Sequence, residues 1–154
     1  MKTKLNIRQI TFAALVGALY VTLCYFSNIF GCTFGVFQFR FAEALTVLPF
    51  LCPTAAWGLF AGCILANLLI PYGLPDLIFG SLATLVAGLL TARCGSKWLA
   101  PLPPVICNGL IVGALLAWSE TGFTAAFPGA FAFNALSVGV AELVVCYVLG
   151  LPLL

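Results

Sequence analysis

Residues 44–75 read ALTVLPFLCPTAAWGLFAGCILANLLIPYGLP and contain no charged side chain. The rest of the 154-residue chain follows the same trend, with six basic and four acidic residues, 64% hydrophobic residues and a mean hydropathy of +1.21. A soluble domain is about half apolar and about one quarter charged. About 20 apolar residues in a helix cross a hydrocarbon core about 30 Å thick. The sequence therefore predicts an all-α, multi-pass membrane protein with a single integral membrane domain, residues 1–154.

Proline and glycine residues divide the chain into six predicted transmembrane helices. Their approximate bounds are residues 8–29, 38–52, 53–70, 76–93, 99–118 and 129–153. The second predicted helix contains Pro49, which kinks or ends a regular helix. This segment therefore has a second interpretation, a half-length helix buried inside the bundle.

The distribution of basic residues predicts the orientation. With six helices and a cytoplasmic N-terminus, five of the six basic residues lie on the cytoplasmic side, namely Lys2, Lys4, Arg8, Arg93 and Lys97. The positive-inside rule therefore places both termini in the cytoplasm. Arg40 is the exception. Because an ionisable group at membrane depth costs about 2.5–3.5 kcal/mol on insertion scales, such a residue usually has a function.

The stretch FQFRFAEALTVLPF, residues 37–50, contains this exception and the first candidate site. Arg40 and Glu43 are three residues apart, so they share a face of a helix, and Gln38 precedes them. An internal ion pair near the outer interface is the simpler interpretation. However, a buried ion pair can often be replaced by apolar residues at little loss of stability. We therefore expect these three residues to bind a ligand.

The sixth predicted helix carries a second polar face, formed by Asn134 and Glu142. Glu142 lies twelve residues beyond Ala130, so it is roughly 18 Å along the helix, near the middle of the bilayer. A carboxylate at that depth needs a proton, Arg40 or a ligand with hydrogen-bond donors as its partner. We expect Asn134 and Glu142 to face Arg40 and Glu43 across a binding cavity.

Other polar and aromatic residues are less specific candidates for this cavity. Asn67 either lines the cavity or bonds to the backbone, and Asp76 either binds substrate or caps the fourth helix. Tyr72 and Trp118 either stack on a flat ligand or belong to the aromatic belt at the membrane interface. Asn108, deep in the fifth helix, is predicted only to make an interhelical hydrogen bond.

Small residues at four-residue spacing mark faces where two helices can approach closely. On the first helix they form two pairs, Ala13 with Gly17 and Ala14 with Ala18. On the fifth helix the pair is Gly109 with Gly113. Packing inside the bundle is the simplest role for each face.

The composition argues against several functions. Histidine, the commonest general base and metal ligand, is absent. The seven cysteines are scattered singly, which predicts neither a metal site nor a disulfide framework. No basic patch follows the first eight residues, so we expect no nucleic-acid partner. No cofactor, metal or enzymatic activity is predicted.

Three blocks of the sequence resemble the QueT family of queuosine-precursor transporters. They are FQFRFAEALTVLPFL at 37–51, GLPDLIFGSLATLVAGLLTA at 73–92 and VGVAELVVCYVLGLPLL at 138–154. Members of this family are substrate-binding subunits, or S components, of energy-coupling factor (ECF) transporters in the bacterial plasma membrane. The resemblance implies six transmembrane helices around a cavity that opens to the outside.

The resemblance also implies partners and a ligand. The partners are a transmembrane scaffold subunit and two ATPase subunits. The scaffold contacts the Ala14 and Ala18 face of the first helix, with Ala13 and Gly17 beside it. The chain itself has no phosphate-binding GxxxxGK[ST] loop. The ligand is a deazaguanine-like base, with Glu43 and Glu142 as candidate readers of its N–H donors. Two alternatives stay open: an S component for another vitamin-like ligand, or a self-sufficient proton-coupled carrier.

Overall fold

The structure, a computed structural model, describes residues 6–31, 39–70 and 73–154. These residues form helices and connecting loops, with no β-strand in the described ranges. Six helices follow one another along the chain, as the sequence predicts. We call them the first to the sixth helix, and their bounds are Ile7–Ile29, Phe41–Phe50, Ala55–Leu69, Asp76–Thr91, Leu102–Thr121 and Phe127–Leu153.

The six helices differ in length. By length and composition the first, fifth and sixth, of 23, 20 and 27 residues, are long and apolar enough to cross a membrane. The other three are shorter apolar helices. The second, predicted over residues 38–52, is a 3-10 helix of only 10 residues that includes Pro49. The segment therefore forms the half-length buried helix of the second interpretation.

This short second helix lies at the centre of the bundle. Residues 42–47 are all buried, and the helix contacts each of the other five. The surrounding helices are neighbours in the order first, third, fourth, fifth and sixth. Because residues 41–50 are apolar or small apart from Glu43 and Thr46, the segment can be enclosed on all sides at little desolvation cost. Glu43 is consequently held inside the protein.

Glycine allows the backbones of two helix pairs to touch. A Cβ atom on Gly17 would lie 2.7 Å from the carbonyl oxygen of Gly58, so the first and third helices meet there without intervening side chains. A Cβ atom on Gly113 would lie 2.7 Å from the Cα atom of Ala135, which joins the fifth and sixth helices in the same way. Small-residue faces at these positions serve packing within the bundle.

The two small-residue faces of the first helix therefore have different surroundings. Gly17 is buried against the third helix, and Ala13 is half-buried beside it. Ala14 and Ala18 are exposed. Gly17 thus does not belong to a free surface, contrary to its predicted place in the partner interface, because its missing side chain is what lets the third helix approach.

Candidate functional site

The Glu43 side chain connects three helices. It is 3% exposed, and the hydroxyl of Tyr20 on the first helix donates to its Oε1 at 2.6 Å. The amide of Asn108 on the fifth helix donates to its Oε2 at 3.4 Å. Hydrogen bonds to a charged group contribute about 1.5–3 kcal/mol each. These two donors stabilise a carboxyl group that lipid could not solvate.

Glu142 on the sixth helix shares the Asn108 amide with Glu43. Asn108 donates to Oε1 of Glu142, whose Oε2 lies 3.5 Å from the Cys146 thiol one turn further along. An asparagine side chain has two N–H donors and one carbonyl acceptor. Because its nitrogen is directed to both carboxyl groups, the Asn108 carbonyl oxygen remains as an acceptor.

Arg40 forms its ion pair with Asp76 at the start of the fourth helix. The Nη2 to Oδ2 distance is 2.9 Å, and the two side chains are 14% and 8% exposed. The simpler interpretation, an ion pair between Arg40 and Glu43, is not the pair that the structure describes. The shared-face rule requires both residues to be helical. Arg40 has an extended backbone, with φ −98° and ψ 102°, immediately before the second helix.

The same ion pair gives Asp76 a partner that neither of its two interpretations included. Its carboxylate contacts Arg40, and the start of its own helix shows no side-chain capping hydrogen bond. Asn67 donates from the third helix to the backbone carbonyl of Asp76 at 3.1 Å. Of the two roles predicted for Asn67, bonding to the backbone is the one observed.

A small polar cavity lies between the second, fourth, fifth and sixth helices. Its free volume of about 20 Å³ is about the space of one water molecule. Polar groups from all four of these helices meet there beside two valine side chains. The cavity is lined by Arg40, Glu43, Gly80, Thr84, Asn108, Val112, Val138 and Glu142.

Two other candidates lie away from this cavity. Asn134 is on the Glu142 face of the sixth helix but two turns nearer its start, roughly 12 Å away, and it donates to Glu120 at 2.8 Å. Trp118 lines a separate apolar groove of about 560 Å³ between the fourth, fifth and sixth helices. Gln38 and Tyr72 lie outside the described residues.

Sequence reasoning did not assign Asn108, Thr84 or Tyr20 to the site. Asn108 carried a signal, an amide deep in an apolar helix, and its predicted interhelical hydrogen bond is observed. Its partners could not be read from the sequence because they lie 65 and 34 residues away. Tyr20 carried no signal, since a tyrosine in an apolar helix is equally common at a membrane interface.

The arrangement favours recognition of a ligand that presents N–H donors. The carboxyl groups of Glu43 and Glu142 line the cavity as acceptors beside the Asn108 amide, while Arg40 is the cationic donor. Within the ranges that the structure describes, no group of three histidine, cysteine or acidic side chains could hold a metal ion.

Comparison with known proteins identifies the chain. The family model described as QueT transporter matches residues 10–154, nearly the whole sequence. No curated protein and no solved structure matches the chain. The matched region begins within the first helix and contains the other five helices and every residue of the polar cavity. The chain therefore belongs to the QueT transporter family.

Proposed function

We propose that the chain is the membrane-embedded, substrate-binding S component of an ECF-type importer, and that it captures a queuosine precursor from outside the cell. The ligand in this proposal is a deazaguanine base. The polar cavity between the second, fourth, fifth and sixth helices is its binding site. A scaffold subunit and two ATPase subunits drive the uptake of the bound base.

Family membership supports the general part of this proposal. A QueT transporter carries a small molecule, which implies transport rather than catalysis. Three helices long and apolar enough to span a membrane agree with a membrane location. Three parts of the proposal go further than family membership. They are the ECF role, the orientation with both termini in the cytoplasm, and the location in a bacterial plasma membrane.

The observation that carries the ligand assignment is the pairing of Glu43 and Glu142 around Asn108. A guanine-like base presents a ring N–H and an amino group on one edge, and a carboxylate can accept both. Its carbonyl oxygen needs a donor, and Arg40 lines the same cavity. Buried acceptors discriminate strongly, because a ligand without the matching donors leaves them unpaired. Adenine offers a different pattern of donors and acceptors and would be rejected.

Binding of such a base requires the cavity to widen. Its free volume of about 20 Å³ is close to that of one water molecule, while a bicyclic base is several times larger. Val112 on the fifth helix and Val138 on the sixth contribute the apolar side chains of the lining. We therefore infer that the fifth and sixth helices separate from the second and fourth when ligand enters.

Calorimetric titration of the purified full-length chain tests the ligand. 7-Deazaguanine is the probe, with guanine and adenine as comparisons, and the expected result is saturable binding of 7-deazaguanine with no binding of adenine. Equal binding of adenine and 7-deazaguanine would contradict the proposed reading of the N–H edge. Absence of binding for all three bases would reject the ligand class.

A second experiment separates the S component from a self-sufficient carrier. The chain is reconstituted alone into vesicles and compared with the chain co-expressed with an ECF scaffold and its ATPases. The proposal predicts ATP-dependent uptake only in the presence of these partners. Uptake by the chain alone, driven by a proton gradient, would favour the carrier instead.

A further inference from the structure

Tyr20 is a fully buried residue of the first helix whose hydroxyl reaches the candidate site. It is 0% exposed, and its ring packs in a core cluster that includes Val16 and Leu59. Its hydroxyl lies 2.6 Å from Oε1 of Glu43 and 3.6 Å from the sulfur of Cys63. The first helix itself contributes no residue to the lining of the cavity.

The single hydroxyl proton of Tyr20 goes to Glu43. A phenol has one O–H donor, and a carboxyl oxygen at 2.6 Å is a far stronger acceptor than a sulfur at 3.6 Å. Asn108 holds the other oxygen of Glu43 from the opposite side. The two donors, on the first and fifth helices, therefore fix the plane of the carboxyl group.

We propose that Tyr20 is a positioning residue that sets the orientation of the Glu43 carboxyl group for ligand recognition and thereby links the first helix to the cavity. The inference rests on the proposed function, since Glu43 is there a reader of the ligand. Tyr20 acts through Glu43 and does not itself line the cavity. The hydroxyl orients the carboxyl group, and the ring packs in the core.

The test is Tyr20→Phe, which keeps the ring and removes only the hydroxyl. Tyr25→Phe is the matched control, because Tyr25 lies on the same helix and is 55% exposed. We expect Tyr20→Phe to bind 7-deazaguanine about tenfold more weakly than the unaltered chain, with Tyr25→Phe unchanged. Unaltered affinity in Tyr20→Phe would overturn the inference.

A ligand-free measurement separates failure of this inference from failure of the proposed function. The infrared carboxyl band that disappears in Glu43→Gln reports the hydrogen bonding of Glu43 directly. We expect this band to shift in Tyr20→Phe and to stay in place in Tyr25→Phe. An unshifted band would refute the positioning role, whether or not the unaltered chain binds 7-deazaguanine.

Discussion

Arg40 and Asp76 form a 2.9 Å ion pair that joins the start of the second helix to the start of the fourth. Both side chains are mostly buried, and removing one member of such a pair costs about 3–5 kcal/mol because the other charge loses its partner. We expect Arg40→Gln and Asp76→Asn each to lower the melting temperature by at least about 5 °C.

A double variant tests whether this pair acts as a unit. Arg40→Gln with Asp76→Asn should cost clearly less than the sum of the two single changes, since neither charge is then left alone. Arg93→Gln is the control for loss of an exposed cation. Strictly additive losses of stability would show that the two residues do not stabilise each other.

Glu43 and Glu142 are the predicted readers of the ligand. Glu43→Gln and Glu142→Gln each replace a carboxylate oxygen by an N–H donor in an acceptor-rich cavity. Each change should weaken binding of 7-deazaguanine at least about tenfold, or about 1.4 kcal/mol, with the fold retained. Glu120→Gln, at an exposed position, is the matched control. Calorimetric affinities that stay unchanged in both cavity variants would assign the two carboxyl groups a structural role only.

We expect Asn108 to be needed for the stability of the fold, because it donates to both carboxyl groups. Asn108→Asp places a third acid between Glu43 and Glu142, so like charges repel and the melting temperature falls. Asn108→Ala removes one hydrogen-bond donor from each carboxyl group. The loss of stability is about 1–3 kcal/mol for each unsatisfied group. Thermal unfolding measures both effects. Wild-type stability in Asn108→Asp would contradict the bridging role.

The exposed Ala14 and Ala18 face is the proposed contact with the scaffold subunit. Ala14→Leu or Ala18→Leu should abolish uptake while leaving 7-deazaguanine binding to the isolated chain intact, because the bulk is added outside the bundle. The exposed Ala132→Leu change is the control for added bulk. Normal uptake in both first-helix variants would remove the docking assignment.

Gly17 should respond differently from its neighbours on the first helix. A methyl group there would meet the backbone of the third helix at 2.7 Å, and overpacking of this kind costs typically about 1–3 kcal/mol. We expect Gly17→Ala to lower the melting temperature. Gly139→Ala, where a Cβ atom meets nothing within 4 Å, should be neutral or slightly stabilising. Equal stability of the two variants would contradict the close helix contact.

The proposed orientation can be tested by labelling single-cysteine variants with a membrane-impermeant thiol reagent. Cys94 follows the fourth helix beside Arg93, at the end that the charge distribution assigns to the cytoplasm. Cys32, which lies outside the described residues, belongs to the connection predicted on the outer side. Labelling of Cys94 from outside intact cells, with Cys32 protected, would show that the orientation is the opposite of the proposed one.

The sequence alone was sufficient for the class of fold and for the choice of the most unusual residues. Long apolar runs with so few charges favour apolar helices, and proline and glycine show where they end, so six helices could be counted in advance. Arg40, Glu43 and Glu142 stood out because a charge in an apolar run is costly and therefore needs a partner.

Only the tertiary structure decided which partners these residues have. Spacing rules apply within one regular helix, and Arg40 lies just before a 3-10 helix, so its side chain reaches Asp76 on another element. Tyr20 and Asn108 meet Glu43 because the depth and rotation of three helices bring them together across 23 and 65 residues. Helix depth and rotation are set by backbone contacts such as that of Gly17 with Gly58. These contacts depend on the whole packed bundle and not on any local sequence pattern.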